Sequence, residues 1–284
     1  MNTIDINVDK DGIATLTIDV KDRPMNVMTP GFLQDLAEAA NRIATDDRIK
    51  GAVFASGKDS FMAGADLIGI VDSFDERKDA AEVYGWCREL NQLLRKLETC
   101  GKPLAAAING TALGGGLEVC LACHYRVAAD NPRAVLGLPE VQVGLLPGGG
   151  GTQRLPRLIG IEPALQLITQ GKHLKPREAL QAGIVHEVVS AGQEVSAAKA
   201  WIRKSGNAVQ PWDRQGFKVP GGAGLMHPAA IQTLMVGTAL LQKMTNHNYP
   251  APIAILSAVY EGTVLPIDKA LDIESKYFTK MLMD

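Results

Sequence analysis

Apolar and polar residues alternate along TIDINVDKDGIATLTIDV, and DKDG breaks the alternation, so the pattern predicts a β-hairpin. After the loop KDRPMNVMTP, GFLQDLAEAANRIATDD repeats its apolar residues at helical spacing. IKGAVFASG reads as a buried strand closed by glycine, and the stretch from Asp75 to Cys100 as a second amphipathic helix. PLAAAING is a short strand of small residues, and GGGLEVCLACHYRVAAD is predicted to be one helix. AVLGLPEVQVGLLP is predicted to be a strand and turn, and GGGGTQRLPRLIG opens a further helix. PALQLITQG and KPREALQAG are helices that end on glycine, and IVHEVVS is a short strand. Strand and helix alternate, and the strand runs are apolar throughout, which argues an α/β fold whose sheet is covered on both faces.

The pattern changes after Ser190. AGQEVSAAKAWIRKSG is helical, residues 211–228 form a Gly- and Pro-rich loop, and three helical stretches follow. The last of them runs to Asp284 without a capping glycine, as expected of a docked C-terminus or of a region cut from a longer chain. Composition narrows the functional class. The 284 residues are 46% hydrophobic and carry a net charge of −2, so no basic field points to nucleic acid. The N-terminus is too acidic for a signal peptide, and no run reaches the ~20 apolar residues of a membrane span. Cys87, Cys100, Cys120 and Cys123 are too few in a chain this long for a secreted disulfide framework. These features together predict a cytoplasmic protein.

The candidate chemistry is sparse. No serine sits in a G-x-S-x-G elbow, and His124, His173, His186, His227 and His247 form no H-x-x-x-H pair, so no metal site is expected. Cys120-x-x-Cys123 allows a redox reading, but two small buried residues on a helix describe it better. The string Gly148–Gly151 opens a helix and offers N–H groups to a phosphate, yet no Lys-Ser or Lys-Thr follows it. A tight turn with close helix packing is the favoured alternative. Glu118 and Glu140 stand in apolar surroundings, GGGLEVC and GLPEVQVG, each beside a Gly or Pro turn. Most glutamates on helices are solvated, but two in such settings can divide acid and base roles. In FMAGADL, small residues let a ligand approach the backbone, or merely serve a strand-to-helix turn.

FMAGADL, AAINGTALGGGLEVCLACHYRVAA, LGLPEVQVGLLPGGGGTQRLPRLIG and LITQGKHLKPREALQAGIVHEVV, in that order, resemble the crotonase superfamily, specifically enoyl-CoA hydratase/isomerase. The resemblance implies a ClpP/crotonase-like α/β spiral of strand–strand–helix units over residues 1–190, with a C-terminal helical region over 191–284. In that region PWDRQGFKVPGG, NYPAPIAILSAVYEG and ALDIESKYF are similar to fatty-oxidation multienzymes. Those proteins join a hydratase to a 3-hydroxyacyl-CoA dehydrogenase module, which the resemblance places after Asp284. Two departures are the imidazole at His124, where an acidic residue is common, and two extra residues in AADNPRAV.

The resemblance implies hydration of trans-2-enoyl-CoA to 3-hydroxyacyl-CoA. Glu118 would be the base and Glu140 the acid, and the backbone N–H groups of Ala65 and Gly115 would form an oxyanion hole. Met25, Ala63, Gly64, Asp66, Leu67, Gly114, Pro139 and Gly148 would contact CoA or substrate. No cofactor is expected beyond the CoA of the substrate. A dehydrogenase module, a thiolase subunit and further copies of the chain are the expected partners. The readings that compete are another crotonase-fold acyl-CoA enzyme (an isomerase or thioester hydrolase), a nicotinamide oxidoreductase built on the glycine string, and a non-catalytic docking module.

Overall fold

A computed structural model describes residues 1–66, 79–204, 206, 208–224, 227–246 and 248–283. Leu67, the start of the helix expected from Asp75, His247 and Asp284 lie outside the described residues. The chain divides into two compact units, each assembled from three separate stretches.

The first unit comprises residues 1–76, 92–136 and 174–210. Strands β1 (Ile4–Val8) and β2 (Ile13–Ile18) form the expected antiparallel hairpin, with Ile4 opposite Ile18. Parallel strands then extend the sheet through β3 (Gly51–Ser56), β4 (Leu104–Ile108), β6 (Tyr125–Ala129) and β8 (Glu187–Val189). Strands β5 (Ala112–Leu113) and β7 (Leu136–Gly137) form a separate two-stranded ladder. Helix α1 (Pro30–Thr45) links β2 to β3; the Thr29 hydroxyl caps it by accepting the Phe32 N–H, and Pro30 supplies a helical φ. Ile13, Val53, Ala55, Ala105, Ala107 and Val127 form a sheet face that packs on Ala198 and Ile202 of helix α7 (Glu194–Lys204).

Two sequence expectations change here. The predicted helix over GGGLEVCLACHYRVAAD is only α3 (Gly115–Ala122), and its second half is strand β6. All of α3 is buried, so its apolar run has no amphipathic period to mark an end. What ends it is tertiary: the His124 N–H donates to the Leu104 carbonyl and His124 Nδ1 accepts the Leu104 N–H, docking the chain onto β4. The second change is in AVLGLPEVQVGLLP, where β7 is followed at once by a 3-10 turn, Glu140–Val143. Pro139 cannot donate to a ladder, and Gly144 at φ +81° closes the turn.

The second unit comprises residues 77–91, 137–173 and 211–284. The helix expected after Asp75 is described as α2 (Ala80–Glu98), whose residues up to Asn91 belong here. The unit also holds α4 (Gly151–Ile159), α5 (Ile161–Gln170), α8 (Pro228–Thr245), α9 (Ala251–Thr263) and α10 (Ile267–Met283). The remaining helix, α6 (Pro176–Gln181), lies in the first unit. Trp212, Ile267 and Leu271 pack with Leu158 and Phe217. Arg157 is buried but satisfied, donating to the Gly262 and Leu265 carbonyls and so tying α4 to the end of α9.

Candidate active site

The three glycines before Glu118 each answer a different steric demand. Gly114 has φ +54° and ψ −130°, a conformation that side chains resist. A Cβ on Gly115 would lie 2.6 Å from Met28 Sδ, and one on Gly116 would lie 2.4 Å from the Met62 carbonyl oxygen. The glycines therefore bring the head of α3 against the segment that carries FMAGADL. That segment crosses the Met28 strand edge: Met28 donates to the Gly64 carbonyl, and Asp66 donates back to the Met28 carbonyl. Pairing of this kind leaves the N–H of Ala65 pointing the other way. Gly64 has φ +96°, and a Cβ there would sit 3.6 Å from the Gly115 nitrogen.

Ala65 and Gly115 are thus brought together within one unit. Among the described residues no acceptor meets either N–H. Gly115 is the first residue of α3, where N–H groups have no partner inside the helix and the helix dipole is positive. Two neighbouring N–H groups without an acceptor among the described residues suit an oxygen that gains negative charge. Glu118 follows on the same helix and is 2% exposed.

The other expected contact residues of this unit fall along the same edge. Met25 is exposed, Ala63 donates to the Asn26 carbonyl, and Asp66 pairs with Arg23 at 2.8 Å. Asn26 was not singled out from the sequence, yet it holds this edge together. Its Oδ1 accepts the Val20 N–H, and its Nδ2 donates to the Ile18 carbonyl, Ser56 Oγ and the Phe61 carbonyl. Nothing in RPMNVM marks the residue, because its partners are 6 to 35 positions away. Asn26→Ala leaves fully buried backbone groups unpaired, so we expect a loss of about 2–4 kcal/mol of stability. Chemical denaturation measures it, and a change below ~1 kcal/mol would show that the site edge does not depend on Asn26.

Glu140 opens the 3-10 turn of the second unit, next to Pro139. The residue is partly exposed, but its Oε2 is shut off from water and, among the described residues, meets no hydrogen-bond partner. Burial of the carboxyl, with a smaller contribution from the Glu274 carboxylate, pushes its pKa up to about 8. Glu140 is therefore a carboxylic acid at neutral pH, able to donate.

The glycine string has a different use from phosphate binding. The N–H of Gly150 and both the N–H and hydroxyl of Thr152 donate to Glu274, at 2.5, 2.9 and 2.6 Å. The head of α4 is already filled by a carboxylate of the chain itself. Gly148 accepts from Asn91 Nδ2, and a Cβ on it would lie 2.7 Å from the Phe278 ring. The tight-packing alternative accounts for the string. The C-x-x-C pair is equally structural: Cys120 Sγ and Cys123 Sγ donate to carbonyls of their own helix, and burial raises the Cys120 pKa well above its usual value. His124, the departure from the family pattern, is a buried corner residue whose Nε2 meets the Glu98 carbonyl.

Residues 9–212 match the family described as enoyl-CoA hydratase/isomerase. The chain belongs to that family. This hydratase/isomerase chain is 40% identical over 276 residues to the fatty acid oxidation complex subunit alpha of Shewanella amazonensis, an alignment covering 94% of the chain and 37% of that protein. It spans well under half the length of the curated relatives it matches. Among solved structures, an enoyl-CoA hydratase of Geobacillus kaustophilus is 27% identical with a TM-score of 0.65, covering 98% of this chain and 87% of its own. Pseudomonas aeruginosa DspI is 33% identical with a TM-score of 0.64, covering 72% of this chain and 80% of its own. The crotonase-type α/β fold with a C-terminal helical region is the fold of this chain. No described helix is long and apolar enough to cross a membrane.

Proposed function

We propose that this family member hydrates trans-2-enoyl-CoA thioesters to 3-hydroxyacyl-CoA in fatty acid β-oxidation. The observation that carries the proposal is the pair of N–H groups on Ala65 and Gly115 that meet no acceptor among the described residues, with the buried Glu118 one turn along the helix from Gly115. Attack at C3 pushes electrons onto the thioester oxygen, and two fixed donors stabilise that charge without reorganising.

Glu118 takes a proton from water as the oxygen bonds to C3. Glu140, protonated by virtue of its surroundings, gives its proton to C2. The site resets when the proton on Glu118 reaches Glu140 by exchange through water. CoA is assigned to the backbone around Met25, Ala63, Gly64, Asp66 and Leu67, and substrate contacts to Gly114, Pro139 and Gly148. No cofactor enters this chemistry. A proton carrier at Glu140 also suits transfer between C2 and C4, so enoyl-CoA isomerisation is the second activity to assay. The product is what a 3-hydroxyacyl-CoA dehydrogenase oxidises, so we assign to this region a dehydrogenase module and a thiolase subunit as partners. The name of the Shewanella relative, a complex subunit, supports that assignment.

Loss of the enoyl-thioester absorbance of crotonyl-CoA tests the reading, and a chain that binds acyl-CoA without hydrating it would overturn it. The pH profile adds a second check. Activity that needs protonated Glu140 is full below its pKa of about 8 and falls tenfold per pH unit above it. A rate that keeps rising through that range would remove Glu140 as the acid.

A further inference from the structure

Glu274 lies outside every residue the proposed reaction uses, yet its setting is built with care. It is fully buried on α10. Its Oε1 accepts from Gly150 N–H at 2.5 Å and Asn91 Nδ2 at 3.3 Å, and its Oε2 accepts from Thr152 N–H and Oγ1 at 2.9 and 2.6 Å. The Gly150 and Thr152 donors stand at the first turn of α4, whose dipole adds positive potential. Asn91 also donates to the Gly148 carbonyl. The clamp thus grips Gly148 to Thr152, the downstream end of the same loop that begins at Glu140. The upstream end is closed by Leu145 N–H donating to the Glu140 carbonyl, and Tyr249 donates its hydroxyl to the Val141 carbonyl.

We propose that Glu274 is a positioning residue of the hydratase site: held as an anion at the head of α4, it fixes the Glu140 loop and keeps the proton on Glu140. The inference rests on the proposed role of Glu140 as acid and adds the group that sets it. Burial pushes both carboxyls toward the neutral form. They differ in the donors that favour their charge: Glu140 has only its own backbone N–H. Glu274 has the Thr152 and Gly150 groups, with Arg154 of α4 also favouring its anion. Among the described residues, Glu140 Oε2 meets no hydrogen-bond partner. Among the described residues, the charged groups that bear on the pair are Arg154 on Glu274 and Glu274 on Glu140; Asp272, on the same helix as Glu274, is taken up by Arg88 at the surface. A proton retained by such a pair goes to the member with fewer donors, and the negative charge of the other holds it there.

The test titrates glutamate carboxyls by carbon-13 NMR in the full chain and in Glu274→Gln and Glu140→Gln, alongside the pH profile of crotonyl-CoA hydration. Glu274→Gln is expected to lower the proton affinity of Glu140 about tenfold or more, moving the alkaline limb of activity down by the same amount. Glu140→Gln is expected to leave the Glu274 titration in place, because Glu140 is already neutral over the range in which Glu274 ionises. A purely structural Glu274 would change rate or stability on substitution and leave the Glu140 titration where it is. An unchanged Glu140 titration in Glu274→Gln overturns the inference while hydration by the wild-type chain still upholds the proposed function. A lowered Glu140 titration in a chain that hydrates nothing upholds the coupling and removes the function. Should Glu274→Gln fail to fold, the Glu140→Gln chain decides which carboxyl holds the proton: a Glu274 titration that falls would place it on Glu274 and overturn the inference.

Discussion

Glu118→Gln is expected to slow crotonyl-CoA hydration by about 10²- to 10⁴-fold with little change in acyl-CoA affinity. Glutamine keeps the volume of a side chain that is 2% exposed, so helix α3 has no cavity to collapse into. It removes the one property the reaction needs, an oxygen able to take a proton from water. Glu140→Gln is expected to cost a similar factor by removing the proton that C2 requires. Groups that act in one chemical step are not additive, so the double variant should be little slower than the worse single one. Stopped-flow measurement of all three, with acyl-CoA binding followed by calorimetry, separates loss of chemistry from loss of binding. A near-wild-type rate in either single variant would take that carboxylate out of the mechanism.

The sequence pattern was most informative where one face of an element is buried. The β1–β2 hairpin and helices α1, α5 and α10 carry a period that shows which side is wet. It was least informative where burial is complete. The residues of α3 and β6 form one apolar run, and the break between them depends on the meeting of His124 with Leu104 on β4. The candidate site shows the same division. Glu118 and Glu140 stood out because a carboxylate in an apolar stretch is costly, and the glycines because they weaken a helix. Asn26 and Glu274 gave no such local signal. Each works through backbone groups far away in sequence, such as Glu274 with Gly150, 124 positions off. Polar residues of this kind become visible only when the fold supplies their partners.

Gly115→Pro is expected to lower the hydration rate by about 10²- to 10³-fold relative to Gly115→Ala, and that ratio isolates a single N–H. Proline is tolerated at the first helical position, because its missing N–H serves no bond inside the helix. Gly114 precedes it at φ +54° and ψ −130°, outside the α region that a following proline forbids. Both substitutions introduce a Cβ 2.6 Å from Met28 Sδ, at the mobile end of a flexible side chain. Alanine thus reproduces the crowding and keeps the donor, while proline crowds and deletes it. If the oxyanion forms against Gly115, the lost donor raises the barrier by about 3 kcal/mol and leaves ground-state binding of the acyl-CoA nearly intact. The fall should therefore appear in kcat, with KM moving little between the two variants. A ratio near one would show that the thioester oxygen does not use this N–H. The unpartnered Gly115 donor would then be only an end effect of α3, and the oxyanion reading of the Ala65–Gly115 pair would fail with it.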